Sequence, residues 1–203
     1  EIVLGDLLAM TQYDFNTYTH SVNVGIYATA LAVWFYREDR TVGLADLERL
    51  SYGFFLHDIG KSKVPLHILK KRGALNEEEW AVIKKHPEWG YSILMETGTL
   101  TDEAAYISMQ HHERPDGTGY PLGMTDIHPC ARICTMADIF DALTSRRPYK
   151  SSMRPFDAVM LLKKEVFTEF DKNLLLAFIS LLGQDDKMPL GHEGACRTLA
   201  AGR

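Results

Sequence analysis

Residues 54–60, Phe54-Phe55-Leu56-His57-Asp58-Ile59-Gly60, end an apolar helical run that begins at Leu44. The run predicts a helix over 44–59 with Gly60 as its stop, because glycine enters the left-handed conformation that commonly closes a helix without steric cost. It places an adjacent histidine and aspartate at the end of an apolar element.

Upstream, residues 14–37 set Val24, Tyr27, Leu31 and Trp34 on one stripe, as an amphipathic helix requires. His20 and Asn23 extend that stripe toward its start. Downstream, Pro65 to Leu69 fits one short turn. Asn76 followed by Glu79 reads as a capping box. It opens a helix through Trp80, Ile83 and His86 toward Leu94, which Pro87 either kinks or restarts. Thr101 to His112 is another helix. Residues 113–128 carry Pro115, Gly117, Gly119, Pro121 and Gly123 and must form a loop. Pro129 to Ser145 is helical, its proline suited to the first turn. Two more helices follow near 155–168 and 171–182. No segment alternates as a strand does, and there is no internal repeat, so the fold class is all-α. Residues 1–13 read as a linker or the end of an upstream helix, 14–183 as one domain, and 184–203 as a polar, glycine-bearing tail.

The chain has 203 residues, enough for a single domain with a real core. Its formal net charge of -5 argues against general binding of DNA or RNA polymers. A small anionic substrate stays compatible, because local basic residues govern that contact. Cys130, Cys134 and Cys196 form no disulfide framework, and the first two read as structural. That usage suits a reducing, cytoplasmic setting. No apolar run reaches the roughly 18 to 20 residues needed to span a bilayer, and no signal peptide is visible. The chain opens at Glu1 rather than Met, so a piece of a longer protein is expected, with room for an upstream sensory domain and for membrane association of the parent protein.

The histidines have unusual neighbours. His57 and Asp58 are adjacent, His111 and His112 are adjacent before the loop, His86 shares a face with Ile83, Gly90 and Ile93, and His20 lies on an apolar stripe. Asp138 sits inside an apolar helix, one turn from Cys134, Asp141 and Ala142. One histidine on an apolar face is usually a satisfied core residue. An unpaired buried aspartate is harder to accommodate, since it costs about several kcal/mol or is forced to neutralise. A shared metal site would resolve all these residues together, because neutral imidazole and carboxylate both ligate divalent metals. The donors outnumber what one ion needs, which points to at least two.

Longer motifs carry a family resemblance. His57-Asp58-Ile59-Gly60-Lys61 resembles the HD motif of the HD superfamily of metal-dependent phosphohydrolases. His111-His112-Glu113-Arg114-Pro115-Asp116-Gly117-Thr118-Gly119-Tyr120-Pro121 resembles the long and specific HHE-x-x-DG-x-GYP signature of the HD-GYP subfamily. Asp138-Ile139-Phe140-Asp141-Ala142-Leu143-Thr144 and Arg147-Pro148-Tyr149-Lys150 resemble further pieces of that subfamily, and the likeness spans about residues 14 to 182. It implies an HD-domain helical bundle with a glycine-rich GYP loop and hydrolysis of a cyclic dinucleotide. Cyclic di-GMP is the leading substrate, cut to linear pGpG and onward to GMP. It implies two divalent metals, iron or manganese, held by His20, His57, Asp58, His86, His111, His112 and Asp138, with Asp58 bridging. Lys61 matches a lysine near the nucleophilic water and the substrate phosphate, Arg147 and Lys150 match residues that hold phosphates, and Tyr120 matches the loop that shapes the cleft. Asp141 is expected to order a metal ligand from one helical turn away. A dianionic substrate suits cations at Lys61, Arg147 and Lys150.

Two departures stand out. Some relatives carry a glutamate four residues before the first ligand histidine, where this chain has Asn16, which predicts a two-metal rather than a three-metal site. The loop after Pro121 is shorter than the common form, which bears on substrate preference. Alternative readings are a cyclic dinucleotide sensor with little turnover, a phosphodiesterase preferring mixed cyclic GMP-AMP, and another HD enzyme acting on deoxynucleotide triphosphates or guanosine alarmones, ranked low for want of a GYP loop.

Overall fold

The computed structural model describes residues 15–98, 101–145, 152–165 and 168–183. Arg147, Lys150, Cys196 and the segments 1–13 and 184–203 lie outside them. The elements in order are α1 (Phe15–Tyr36), α2 (Leu44–Phe55), a 3-10 turn (Ile59–Lys63), α3 (Leu66–Leu69), α4 (Glu77–Ile83), α5 (His86–Thr97), α6 (Asp102–Gln110), α7 (Pro129–Thr144), α8 (Pro155–Leu162), a 3-10 turn (Lys163–Glu165) and α9 (Glu169–Gly183). Among the described residues there is no strand, and no helix is long and apolar enough to cross a membrane.

Helix α1 packs on α2, α7 and α9, and α7 packs in turn on α6 and α8. Val24, Ala28 and Leu31 of α1 are buried against Phe54 of α2, Ile107 of α6, and Ile133 and Phe140 of α7 in the main core. Cys130 and Cys134 lie fully buried in that core and are not disulfide-bonded, the packing role expected of them. A smaller cluster of Ile59, Ile93, Leu94 and Ala105 lies beneath the 3-10 turn and joins it to α5 and α6. Asp171 near the start of α9 accepts from Thr168 N–H at 2.9 Å and from Arg132 of α7, so one buried carboxylate caps α9 and ties it to the bundle.

Several boundaries correct the sequence reading. The helix expected over 44–59 ends at Phe55, and residues 56–58 turn before the 3-10 segment. His57 donates from Nδ1 to the Phe54 carbonyl at 2.9 Å, and Ile59 N–H reaches Leu56 O at 2.9 Å, so the chain tightens where the apolar pattern continues unbroken. Gly60 is not a left-handed helix stop: the positive-φ glycines among the described residues are Gly98, Gly117 and Gly123. It is instead a crossing point. A methyl group there would lie 1.9 Å from the His86 carbonyl oxygen and 2.5 Å from Gly90 N.

Pro87 restarts a helix rather than kinking one. Asn76 and Glu79 form the reciprocal capping box at 2.8 Å each way, α4 ends at Ile83, and α5 begins at His86. The helix expected to reach residue 168 stops at Leu162 and passes into a 3-10 turn.

Because the atoms opposing Gly60 belong to backbone, relief would require α5 itself to move. Gly60→Ala is expected to destabilise the protein by about 3 kcal/mol, the upper end for overpacking. Denaturant unfolding checks this, and an unchanged midpoint would contradict the crossing.

Candidate metal centre

Five elements deliver the donors. His20 comes from α1, His57 and Asp58 from the turn after α2, His86 from the first residue of α5, His111 and His112 from the end of α6, and Asp138 from α7. Asp58 lies at their middle and is buried. Its Oδ1 faces His86 Nε2 at 3.2 Å and His111 Nε2 at 3.7 Å. Its Oδ2 faces His57 Nε2 at 3.5 Å and His20 Nε2 at 4.0 Å. Two donor clusters therefore share this carboxylate: Asp58 with His86, His111 and His112, and Asp58 with His20 and His57. Asp138 lies beside both, 3.0 Å from His20 Nε2 and 4.0 Å from His112 Nδ1.

Hydrogen bonds orient the rings. His57, His86 and His111 each place Nδ1 against a backbone carbonyl, of Phe54 at 2.9 Å, Ile83 at 2.8 Å and Ser108 at 2.8 Å. A carbonyl only accepts, so Nδ1 carries the proton and Nε2 presents a lone pair. All three lone pairs point at Asp58, itself an acceptor, and His86 Nε2 and His111 Nε2 stand 3.3 Å apart. His57 Nε2 and Asp58 Oδ1 are buried without a hydrogen-bond partner. Burial lowers the His57 imidazole to about 4 and also lowers His86 and His112, which keeps them neutral near pH 7. Converging buried lone pairs need a cation, and this donor set fits a divalent metal.

The carboxylates are held ionised. Burial pushes Asp58 up, but the Lys61 ammonium, 2.5 Å from its Oδ2, outweighs this and leaves it well below the usual range. Asp138 is likewise lowered against burial, mainly by its bond to His20. Burial lowers His20, yet its bonds to Asp138 and Asp141 prevail and raise it to about 9. The negative charge that holds a proton on His20 would equally hold a metal there.

A supporting layer fixes these donors. Asp141 accepts from His20 Nδ1 at 2.6 Å, Asn23 Nδ2 at 2.8 Å and Ser145 Oγ at 2.6 Å. Ser108 Oγ donates to the His57 carbonyl and Thr135 Oγ1 to that of His111. Two roles had no place in the sequence reading. In sequence Asn23 is one residue of the α1 stripe, one turn from His20. Glu113 stands within the His111–Pro121 motif, where the sequence gives it no role. Its buried carboxylate accepts from Leu122 N–H at 2.6 Å and Met124 N–H at 2.9 Å, closing the glycine-rich loop onto the end of α6. Gly119 rests on the Glu113 backbone, where a Cβ would come within 2.5 Å of Glu113 Cα. The closed loop stacks Tyr120 on His112, with centroids 4.6 Å apart.

The structure thus brings His20, His57, Asp58, Lys61, His86, His111, His112, Tyr120, Asp138 and Asp141 to one place. Arg147 and Lys150 are outside the described residues.

Comparison with known proteins agrees with this geometry. The family described as "HD domain" matches residues 3–174. The chain is 36% identical over 179 residues to the cyclic di-GMP phosphodiesterase PA4108 of Pseudomonas aeruginosa, covering 87% of this chain and 42% of that protein. It is 35% identical over 162 residues to the 3'3'-cGAMP-specific phosphodiesterase 3 of Vibrio cholerae, covering 78% and 34%. The chain spans less than half the length of these relatives. Bd1817, an HDG"Y"P protein from Bdellovibrio bacteriovorus, superposes with a TM-score of 0.61 over 81% of this chain and 51% of its own at 24% identity, which supports the fold.

Asp141→Asn keeps the shape but removes the charge behind His20. It is expected to weaken metal binding about 10- to 100-fold, as losses behind a ligand imidazole do. Metal titration of the apo-protein reads this directly. The same titration at neutral pH should release at least one proton as His20 exchanges its proton for metal, and calorimetry in buffers of differing ionisation enthalpy would expose a zero value.

Proposed function

The chain belongs to the HD-domain family, and from that premise we propose that it is an HD-GYP-type phosphodiesterase that hydrolyses a cyclic dinucleotide, with cyclic di-GMP as the leading substrate. The observation that carries this reading is Asp58, whose two oxygens face two different histidine clusters across a site of converging lone pairs. A carboxylate so placed would serve two divalent metals, held by His86, His111 and His112 in one cluster and by His20 and His57 in the other. Asp138 completes the ligand set between them. Two divalent cations, iron or manganese, would supply a nucleophilic hydroxide at neutral pH and neutralise charge at phosphorus.

The chain's own residues do the rest. Asp141 holds the proton on His20 Nδ1 and so leaves Nε2 for ligation. Lys61, partly exposed and bonded to Asp58, can turn its remaining donors to a phosphoryl oxygen. Arg147 and Lys150 are assigned to the substrate's phosphates. Residues 113–124 are the GYP loop, whose Tyr120 forms a wall of the cleft. Attack of water on one phosphorus expels the 3′-oxygen and gives linear pGpG, and a second cut gives GMP. Names borne by relatives of near-equal identity divide between cyclic di-GMP and 3'3'-cGAMP, so guanine-containing cyclic dinucleotides are the proposed class.

Chromatography of products with iron and manganese supplied tests the reading. Linear dinucleotide from cyclic di-GMP is expected, together with two metals per chain, given Asn16. Asp58→Ala should lose metal and activity together. Tight binding with no product under either metal would make the domain a sensor, and a reproducible three metals would overturn the stoichiometry.

A further inference from the structure

Helix α4 poses a question that the metal centre does not answer. It has no buried residue, and three of its residues are Glu77, Glu78 and Glu79. Lys71 bonds Glu79 and the capping box closes its start, so polar contacts hold its first turn. Yet it carries an indole. Trp80 is 44% exposed, at the point where the helix passes from its glutamates to Ala81, Val82 and Ile83.

Its neighbours give the indole a direction. Trp80 meets Tyr120 edge-to-face, with centroids 6.2 Å apart and planes at 70°. Tyr120 stacks on His112 at 4.6 Å and lies 6.4 Å from His86. A row of rings therefore runs from the two histidines outward through Tyr120 to Trp80. One face of Tyr120 is taken by His112, whereas an edge-to-face contact occupies at most one face of the indole. Two other exposed aromatic side chains have different surroundings: Tyr52 bonds Glu48 at 3.1 Å, and Tyr106 lies against His128.

We propose that Trp80 is a stacking platform for one purine base of the substrate, placed at the outer end of the ring row that begins at the metal histidines. This rests on the reading of the site as a cyclic dinucleotide phosphodiesterase. Such a substrate has two flat bases with open π-faces beside phosphates that must reach the metals, and an exposed ring next to the centre suits a base. The glutamates of α4 repel phosphate but not a neutral purine, which favours the base as the group that lies on this helix. Stacking engages the π-face common to all bases, so Trp80 adds affinity without choosing between guanine and adenine.

The test is steady-state kinetics of the metal-loaded protein with cyclic di-GMP and 3'3'-cGAMP. Trp80→Ala is expected to raise KM roughly 5- to 100-fold, by a similar factor for each substrate, with kcat within about twofold and metal content unchanged. Trp80→Phe should recover most of the loss. Trp80→Leu, bulky but without a π-face, should not. An unchanged KM in Trp80→Ala, or full recovery by leucine, overturns the platform. If the wild-type protein turns over neither dinucleotide, binding titrations of the same variants decide it. Equal affinity of wild type and Trp80→Ala then overturns the platform, and weaker binding by the variant upholds it while the hydrolytic reading alone falls.

Discussion

The placement of one buried carboxylate organises this domain. Asp58 sits where five elements meet, with each of its oxygens turned to a different set of imidazoles. An isolated buried carboxylate would carry a penalty of about several kcal/mol. Here the Lys61 ammonium, bonded to its Oδ2, keeps it ionised. The three imidazoles bonded to carbonyls through Nδ1 cannot donate to it through Nε2 while neutral. The arrangement therefore fits a cation brought from outside the protein chain, which is the physical basis for regarding it as a candidate metal centre.

The helices around it act as supports. The turn after α2 holds His57 and Asp58 because the 3-10 segment crosses α5 at Gly60, too closely for any side chain. That contact also positions His86, whose carbonyl lies against Gly60. From α7, Thr135 holds the His111 backbone, and Asp141 orients His20 across the bundle. Glu113 closes the glycine-rich loop over His112. His20, His57 and His111 are thus held by residues from other elements, so ligand geometry and core packing are coupled.

Much of the fold was legible from short-range patterns. The capping box at Asn76, the prolines opening α5 and α7, and the glycine-rich break at 113–128 are local signals, and each marks the element it predicts. The end of α2 was not legible, because the apolar pattern runs on through Ile59 while the turn is imposed by a helix from later in the chain. Gly60 was misread for the same reason. A glycine that permits a turn and a glycine that permits a close approach look alike in one dimension. Asn23 and Glu113 were passed over because their partners, Asp141 and the amides of Leu122 and Met124, lie 118, 9 and 11 residues away.

By itself, the sequence determined an all-α chain with a set of histidines and aspartates on apolar faces, and motifs that identify their family. These follow from periodicity, capping and residue chemistry, which act over a few residues. Only the tertiary structure decided that Oδ1 and Oδ2 of Asp58 face separate clusters, that three Nε2 lone pairs converge on them, and that Trp80 stands at the end of a ring row leading from His112. Those facts depend on side-chain directions set by contacts between distant segments, and no local pattern encodes the direction in which an imidazole nitrogen points.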